Sequence, residues 1–527
     1  MNAKFGSWYS DELIRKYFWI GLSSAGLVAV SLLWQVRAGF QLADEGFLWY
    51  GAQRVMQGEV PVRDFMSYDI GRYYWSAALM FLQGDDGIIA LRIAVGVFQA
   101  AGLFAGLTVL TRTPDKPRSL PWLLLATVVL LVWMYPRHKL FDVSISIGLI
   151  ALLTFLAERP TTSRYFIAGI GVGLAAVFGR NHGVYGVFGT LVVMAYLLSR
   201  RQKGPSTPRA LGSWAGGIVV GYLPMLPMLI FCPGFGHAFW EGIRYLFEIK
   251  ATNLSLPIPL PWRVAFGQLS IVDSVRGVFV GLLFIGTLAF GLAGIARTMW
   301  HVWRNESVSP PLLACIGLAL PYAHYAYSRA DIGHLALGIF PMLLGSLVWL
   351  SDLRNKWIRW SIGGLFCAVS LFVMLPLHPG WQSRTHENWR RVLIGHEAVL
   401  VDPVTARDAA LLQLLTHRFA VNSRGSFLAI PFWPGAYALM NRKSPTWEIY
   451  PLYPRSESLQ REEIRRIESA APSFVIIVNL ALDNREELRF ANTHPFLNRY
   501  LQTHFRPTAD VVAPKYYQVL LPRSSAN

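Results

Sequence analysis

Seven of the 18 acidic residues that precede position 378 fall between residues 38 and 87. They sit in three runs: Asp44-Glu45-Gly46-Phe47-Leu48-Trp49-Tyr50, Gly58-Glu59-Val60-Pro61-Val62-Arg63-Asp64-Phe65 and Tyr68-Asp69-Ile70-Gly71-Arg72-Tyr73-Tyr74-Trp75, with Asp85 and Asp86 beyond them. A carboxylate placed beside a hydroxyl can take its proton as a bond forms, and several together can hold a hard cation. Asp44, Glu45, Asp64 and Asp69 are candidate oxygen ligands, and their spacing leaves open whether a divalent ion such as Mg or Mn is held. Zinc is disfavoured, because there is no cysteine pair, no His-x-x-x-His, and the twelve histidines are scattered. The stretch is also rich in aromatics, and residues 73–83 read as an amphipathic helix lying in an interface.

The composition says what positions these residues. Hydrophobic residues make up 53% of the 527-residue chain and charged residues 15%. Soluble chains sit near ~45–50% and ~25%. A helix needs about 20 apolar residues to cross a bilayer. Eleven stretches qualify or nearly so: 17–36, 88–111, 119–135, 141–157, 165–180, 183–199, 209–231, 276–299, 310–327, 334–350 and 357–377. Lys4, Arg15 and Lys16 precede the first, no small-x-small cleavage site follows it cleanly, and it reads as a retained anchor. With the N-terminus cytoplasmic, the cytoplasmic segments up to residue 377 carry 17 Lys/Arg against 6 Asp/Glu, and the opposite side 13 against 12. That asymmetry follows the positive-inside rule. The carboxylates therefore crowd the first external loop, residues 37–87. A carboxylate at a membrane boundary is costly unless hydrated or paired, so the cluster marks a candidate site, the alternative being a solvated acidic loop.

Residues 378–527 are different material. Apolar stretches shrink to strand length (398–401, 427–430, 474–478) and alternate with helix-like segments such as 458–469, where Ser458 is a candidate cap and Glu462 and Arg466 lie one turn apart. The expectation is a polytopic α-helical membrane domain over 1–377 and a soluble, external α/β domain over 378–527. No cysteine lies beyond residue 377, so that domain has no internal disulfide. Asn422-Ser423-Arg424 lacks the Ser/Thr of a glycosylation sequon. Trp433, Tyr437 and Trp447 could stack on sugars, with core packing the default. The net charge of +17 is spread over short clusters between apolar runs, with no Lys/Arg block interleaved with aromatics, which argues against a nucleic-acid partner.

The Asp-Glu pair directly after the first helix, the Gly-Glu-Val-Pro-x-Arg-Asp-Phe run and the aromatic helix ending at Gly84 resemble the first external loop of GT-C glycosyltransferases. The pattern is most similar to the bacterial branch resembling protein O-mannosyltransferases and the lipid A aminoarabinose transferase. Arg92 at the start of the next helix, the Tyr327-Ser328-Arg329-Ala330-Asp331-Ile332-Gly333-His334 loop and an external C-terminal domain also fit. The resemblance implies transfer of a sugar from a polyprenyl-phosphate carrier to a glycan, glycolipid or protein acceptor at the periplasmic face of the inner membrane. It implies a base, Asp44 or failing that Glu45, and inversion in a single displacement. The leaving phosphate needs cations more than an acid. Arg329 with His334, and Arg137 and Lys139 of Arg137-His138-Lys139, are the candidates, against an ordinary Arg–Asp pair or contact with lipid headgroups. Asp64, Asp69, Arg72 and Tyr73 are candidate acceptor-binding or supporting residues. Arg180 and His182, in the break at 179–183, could face the same cavity as the phosphate-binding candidates, with satisfaction of the helix ends the preferred reading, and His324 reads as a hydrogen-bonded core residue. Arg244 and Lys250 lie in the long external loop 232–275 and carry less weight. No P-loop is found, and no Gly-x-Gly-x-x-Gly in a suitable strand–helix context, which disfavours nucleotide sugars. Two other classes compete. A lipid-linked-sugar transporter should show paired halves and broken mid-membrane helices, whereas no internal duplication is evident. A non-catalytic envelope assembly protein leaves the acidic loop unexplained.

Overall fold

A computed structural model describes residues 2–112, 119–200, 204–249, 253–420, 425–508 and 510–523, apart from the side chains of residues 2–13. Lys116, Arg118, Arg201, Lys203, Lys250 and Asn422-Ser423-Arg424 lie outside the described residues. The chain divides into two compact units. Unit 1 holds Met1–Trp34 and Val95–Gln382; unit 2 holds Gln35–Ala94 and Ser383–Asn527. The division differs from the expected 1–377 and 378–527, because the first external loop shares a unit with the C-terminal segment.

The helices in chain order are α1 (Asn2–Gln35), α2 (Asp44–Met56), α3 (Gly71–Gln83), α4 (Ile88–Thr111), α5 (Leu120–Trp133), α6 (Leu140–Glu158), α7 (Thr162–Phe178), α8 (Arg180–Ser199), α9 (Thr207–Gly221), α10 (Leu226–Phe231), α11 (Phe235–Glu248), α12 (Ile271–Trp303), α13 (Pro310–Ser328), α14 (Ile332–Gly338), α15 (Phe340–Asp352) and α16 (Lys356–Met374). Each of the eleven apolar stretches is helical, two of them broken. The 209–231 stretch becomes α9 and α10, with Pro224 in the break and Pro227 at the start of α10. The 334–350 stretch bends by 56° between α14 and α15, next to Pro341. Among the described residues six helices are long and apolar enough to cross a membrane, or seven if the bent pair is one span. The protein is a multi-pass membrane protein.

In unit 1, α6 is apolar on every side and 78% of its spanning window is buried, so it is a central helix; α1, at 11%, shows its apolar surface to the surroundings. Helices α7 and α9 touch backbone to backbone. A Cβ on Gly169 would lie 2.1 Å from the Trp214 carbonyl, and one on Gly173 2.3 Å from that of Ile218. Small residues four apart on both helices (Gly217 and Gly221 on α9) permit this approach, which gains dispersion where the hydrophobic effect is weak.

Unit 2 is α/β. Its C-terminal part adds the end of α17 (Pro379–Thr385, in this unit only from Ser383), then α18 (Pro403–Phe419), α19 (Gly435–Leu439), α20 (Glu457–Ala470), α21 (Phe490–Thr493) and α22 (Pro495–His504). A hairpin pairs β1 (Arg390–Ile394) with β2 (Glu397–Val401). A four-stranded sheet runs in the order β3 (Leu428–Ile430), β4 (Val475–Val478), β6 (Tyr517–Pro522) and β5 (Phe505–Pro507). β3 and β4 are parallel, and the remaining pairs are antiparallel. β4 is buried on both faces, which explains its uninterrupted Val-Ile-Ile-Val. Its core includes Leu428, Ile467, Val475, Ile477, Leu497 and Leu520. The strands read from the sequence are β2, β3 and β4; the helix is α20, capped by Ser456 rather than Ser458, since the Ser456 hydroxyl accepts from Leu459 N. Trp433 and Tyr437 are buried, so packing is their role.

Helix α2 explains the unit's composition. Phe47, Leu48, Trp49 and Tyr50 are consecutive and all 1% exposed, so the helix needs cover on every side. At Gly46 it meets Gly435 of α19 so closely that a Cβ there would lie 2.4 Å from the Gly435 Cα.

Candidate active site

In unit 2, Asp44 and Glu45 form the first turn of α2. Asp44 is half-buried, while Glu45 is buried and bound by both arms of Arg92 on α4: Nε donates to Oε1 at 2.8 Å and Nη2 to Oε2 at 2.9 Å. The same guanidinium donates to the Val36 and Gly39 carbonyls, and Arg92 is only 4% exposed. A charge this buried requires that kind of pairing. Glu45 is thereby fixed as the anchor that joins the start of α2 to α4.

The second acidic run is a tight turn. Asp64 accepts from Val60 N and, through both oxygens, from Arg63 at 2.8 Å. The Arg63 hydrogen bond holds its carboxyl below the usual range. Val62 has a φ of 72°, which a β-branched residue adopts only under restraint. Trp447 supplies some of that restraint: its indole donates to the Val62 carbonyl at 3.0 Å, and its own carbonyl accepts from Met66 N at 2.8 Å. In the third run, Tyr73 is fully buried and its hydroxyl accepts from Tyr68 N. Burial pushes that hydroxyl far above its ordinary range, so it serves as a hydrogen-bonding group. The Arg72 guanidinium lies 5.2 Å from the centre of the Tyr68 ring. Asp69 is half-buried one residue beyond Tyr68. Helix α3 is two-faced as expected, burying Tyr73, Ala77 and Met80 while Phe81 and Leu82 are exposed.

In unit 1, Arg137, His138 and Lys139 form one 3₁₀ turn ahead of α6, with His138 buried and its two neighbours half-buried. Arg329 closes α13, and Asp331 caps α14 by accepting from His334 N at 2.8 Å. Arg329 Nε donates to Asp331 at 3.0 Å, and Nη1 to the Leu254 carbonyl. The His334 ring donates from Nδ1 to Asp331 at 2.9 Å and accepts at Nε2 from the Asn253 amide at 2.8 Å. Burial alone would raise the Asp331 carboxyl, but the His334 bonds and the Arg329 charge hold it below the usual range. Arg137–Lys139 lead into α6, whose Asp142 accepts from Tyr325 one turn before Arg329, so the two basic candidates share one end of unit 1.

Directly connected to that end is a polar network. Asp142 Oδ1 accepts from the His182 Nε2 at 3.0 Å and from the Tyr325 hydroxyl at 3.1 Å; His182 Nδ1 meets the Tyr322 hydroxyl at 2.8 Å. The Tyr325 ring lies edge-on to that of His334, 6.3 Å between centres. His182 is 1% exposed and bound through both ring nitrogens, so it is a member of this network and not a helix-end residue. His324 is bonded to the Tyr185 hydroxyl at 3.2 Å, yet it is exposed and not core as expected. Arg180 lies over the Phe239 ring, and Arg244 pairs with Glu241 and Glu248 along α11.

No family model matches the sequence, and no curated protein matches it. Among solved structures it is similar to ArnT from Cupriavidus metallidurans bound to undecaprenyl phosphate, with a TM-score of 0.52 and 12% identity, over 98% of each chain. The chain shares the fold of that structure. The archaeal oligosaccharyltransferase AglB from Archaeoglobus fulgidus, in complex with an inhibitory peptide and a dolichol-phosphate, is similar at a TM-score of 0.46 and 12% identity, over 88% of this chain and 69% of that one.

Within this fold, Asp44, Glu45, Asp64, Asp69, Arg72 and Tyr73 fall in unit 2, and Arg137, Lys139, Arg329 and His334 in unit 1. Sequence reasoning passed over Asp142, His182, Tyr322 and Tyr325 as a set. The one available signal was an acid at the start of an apolar helix, where an ionisable group is costly. It also passed over Asp85 and Asp86 with His396. Among the described residues these three form the one group of carboxylates, imidazoles and thiols close enough to share an ion.

Proposed function

We propose that this protein is a glycosyltransferase that moves a sugar from a polyprenyl-phosphate carrier to an acceptor hydroxyl on a glycan, glycolipid or protein. The reaction faces the periplasmic side of the inner membrane, with the N-terminus cytoplasmic and residues 378–527 external. What carries the reading is that the acidic pair at the start of α2 and the Arg329–Asp331–His334 loop occur together on a GT-C fold matched along 98% of the chain.

Asp44 is the general base. It accepts the acceptor's proton as that oxygen attacks the anomeric carbon; the bond from that carbon to the phosphate oxygen breaks, and polyprenyl phosphate leaves with the electron pair. The configuration inverts. Arg329, Arg137, Lys139 and His334 bind the donor phosphate, where charge grows as the monoester forms. Asp64, Asp69, Arg72 and Tyr73 support the acceptor side by shaping their loop. A Mg or Mn ion is compatible with the oxygen donors of that loop.

The test compares envelope glycans and lipid-linked sugars, by mass spectrometry, in cells making the wild-type protein, Asp44→Asn or none, with protein levels matched. Loss of one defined sugar in both deficient strains is expected. Full restoration by Asp44→Asn overturns the base assignment, and unaltered glycans in the strain lacking the protein overturn the transferase. Purified wild type should also retain undecaprenyl phosphate in native mass spectrometry, and Arg329→Ala should retain at least tenfold less.

A further inference from the structure

We propose that Asp85, Asp86 and His396 form a divalent-metal site, suited to Zn or Mn, that joins the loop between α3 and α4 to the tip of the β1–β2 hairpin. One ligand atom from each residue lies within 4.8 Å of the others. They line a cleft of about 670 Å³ together with Met56, Gln83 and Gly84. All of these belong to unit 2, and the inference is independent of the transferase reading.

Most of the bonds that hold the donors are ones a metal would leave intact. The Asp85 carboxylate accepts from Gly87 N at 2.8 Å, whereas the 3.0 Å contact of His396 Nε2 with the same oxygen would give way to the ion. The Asp86 carbonyl accepts from the Trp49 indole at 2.8 Å and the Gln53 amide at 3.1 Å, two buried groups on α2, which pins the main chain that carries its carboxylate. On the hairpin side, Glu397 Oε2 accepts from Ile89 N at 2.8 Å, so the residue after His396 is tied to the first turn of α4. Both halves of the site are therefore registered against each other by main-chain contacts. Preorganised ligands of this kind lower the cost of ion binding.

The donor set selects the class of ion. One imidazole with two carboxylates suits Zn or Mn, whereas Mg and Ca favour all-oxygen shells. Three protein ligands on an open cleft leave further positions to water. Asp85 and Asp86 lie close to a single imidazole, while Glu397 also feels the Arg92 charge, and a cation at the first two offsets their repulsion. His396 is separated from Asp85 by 311 positions of chain, which is why no spacing motif announces the site.

The full-length protein in detergent, free of any histidine tag, is stripped with chelator and dialysed against micromolar Zn or Mn; bound metal is then counted by mass spectrometry. Wild type should retain one ion per chain, and Asp86→Asn and His396→Ala should each bind it at least tenfold more weakly. Added metal should raise the melting temperature of wild type and leave both variants unmoved. Asp86→Asn keeps the carbonyl that Trp49 and Gln53 bind, and His396 has a 60% exposed side chain, so both variants should melt like stripped wild type before metal is added. Equal retention by wild type and both variants, or no retained ion in wild type, overturns the proposal and leaves only a surface Asp–His pair. Should a variant melt early on its own, Asp85→Asn with His396→Gln replaces it under the same criterion.

Discussion

Adjacent carboxylates at the start of α2 should respond oppositely to amide substitution. Glu45→Gln leaves the Arg92 guanidinium buried against a neutral partner, and breaking a buried pair from one side costs about 3–5 kcal/mol. Asp44→Asn removes a half-buried charge from a helix N-terminus, at about 0.3–1 kcal/mol. If Asp44 is the base, the same substitution should slow transfer by roughly 10²–10⁴-fold. Glu45→Gln should instead melt much earlier and, assayed well below its melting temperature, keep most of its turnover. Replacing both partners, Glu45→Leu with Arg92→Met, removes the stranded charge. Recovery should be partial, since the Val36 and Gly39 carbonyls lose their donor at about 1–3 kcal/mol for each that stays dry. The assay is thermal unfolding by tryptophan fluorescence in one detergent, beside transfer from a synthetic polyprenyl-phosphate sugar. A chain of two units need not unfold in one step, so the ordering of melting temperatures is the quantity to read. Wild-type melting with lost turnover in Glu45→Gln, and an active Asp44→Asn, would refute the reasoning and move the base to Glu45.

Gly169→Val should lower the melting temperature sharply, by more than the about 1–3 kcal/mol usual for overpacking, because its Cβ meets a backbone carbonyl that cannot move aside; an unchanged melt would mean that α7 and α9 separate at little cost. Trp447→Phe forfeits the indole bond to Val62, worth about 1 kcal/mol, and should make residues 60–66 cleave faster in limited proteolysis. Glu463 is buried, and burial pushes its carboxyl up to about 7 against the Arg466 charge, with Glu448 and Glu462 nearby. A folded-state value above the unfolded one means a contribution that is complete below pH ~4.5 and lost as pH rises toward 7, about 3 kcal/mol in all. Glu463→Gln keeps an acceptor for Trp447 N and should therefore raise the melting temperature at pH 8 but not at pH 4; equal effects at both would place the titration elsewhere.

The membrane helices were legible because the length of an apolar run is a local property, and a helix satisfies its own backbone wherever the run goes. Where prolines interrupt a run, the same locality misled: 209–231 is two helices and 334–350 is bent. The boundary between units was illegible, because it depends on what covers α2, and Gly46 gives no sign in sequence that Gly435 will meet it. The candidate site divides in the same way. Asp44-Glu45 and the Arg329 loop stand out as short runs of rare residue types. The Asp142–His182–Tyr322–Tyr325 network does not, since its hydrogen-bonded pairs lie 40 to 183 positions apart and each member looks ordinary within its own helix.

The first external loop shows how partners sort a cluster of carboxylates into roles. Glu45 is held by Arg92, Glu59 by Arg54 and Lys443, and Asp64 by Arg63. For any of these to accept a proton, a hydrogen bond to a charged donor has to be given up, at about 1.5–3 kcal/mol, before proton transfer gains anything. The pairs at Glu45 and Glu59 are also the more buried, so water makes up little of the loss. Asp85 and Asp86 stand at the far end of the loop beside His396. A proton taken by Glu45 or Glu59 would thus work against the fold that positions them. These two acids therefore serve as internal controls for structure when the proposed base, Asp44 at the start of α2, is mutated.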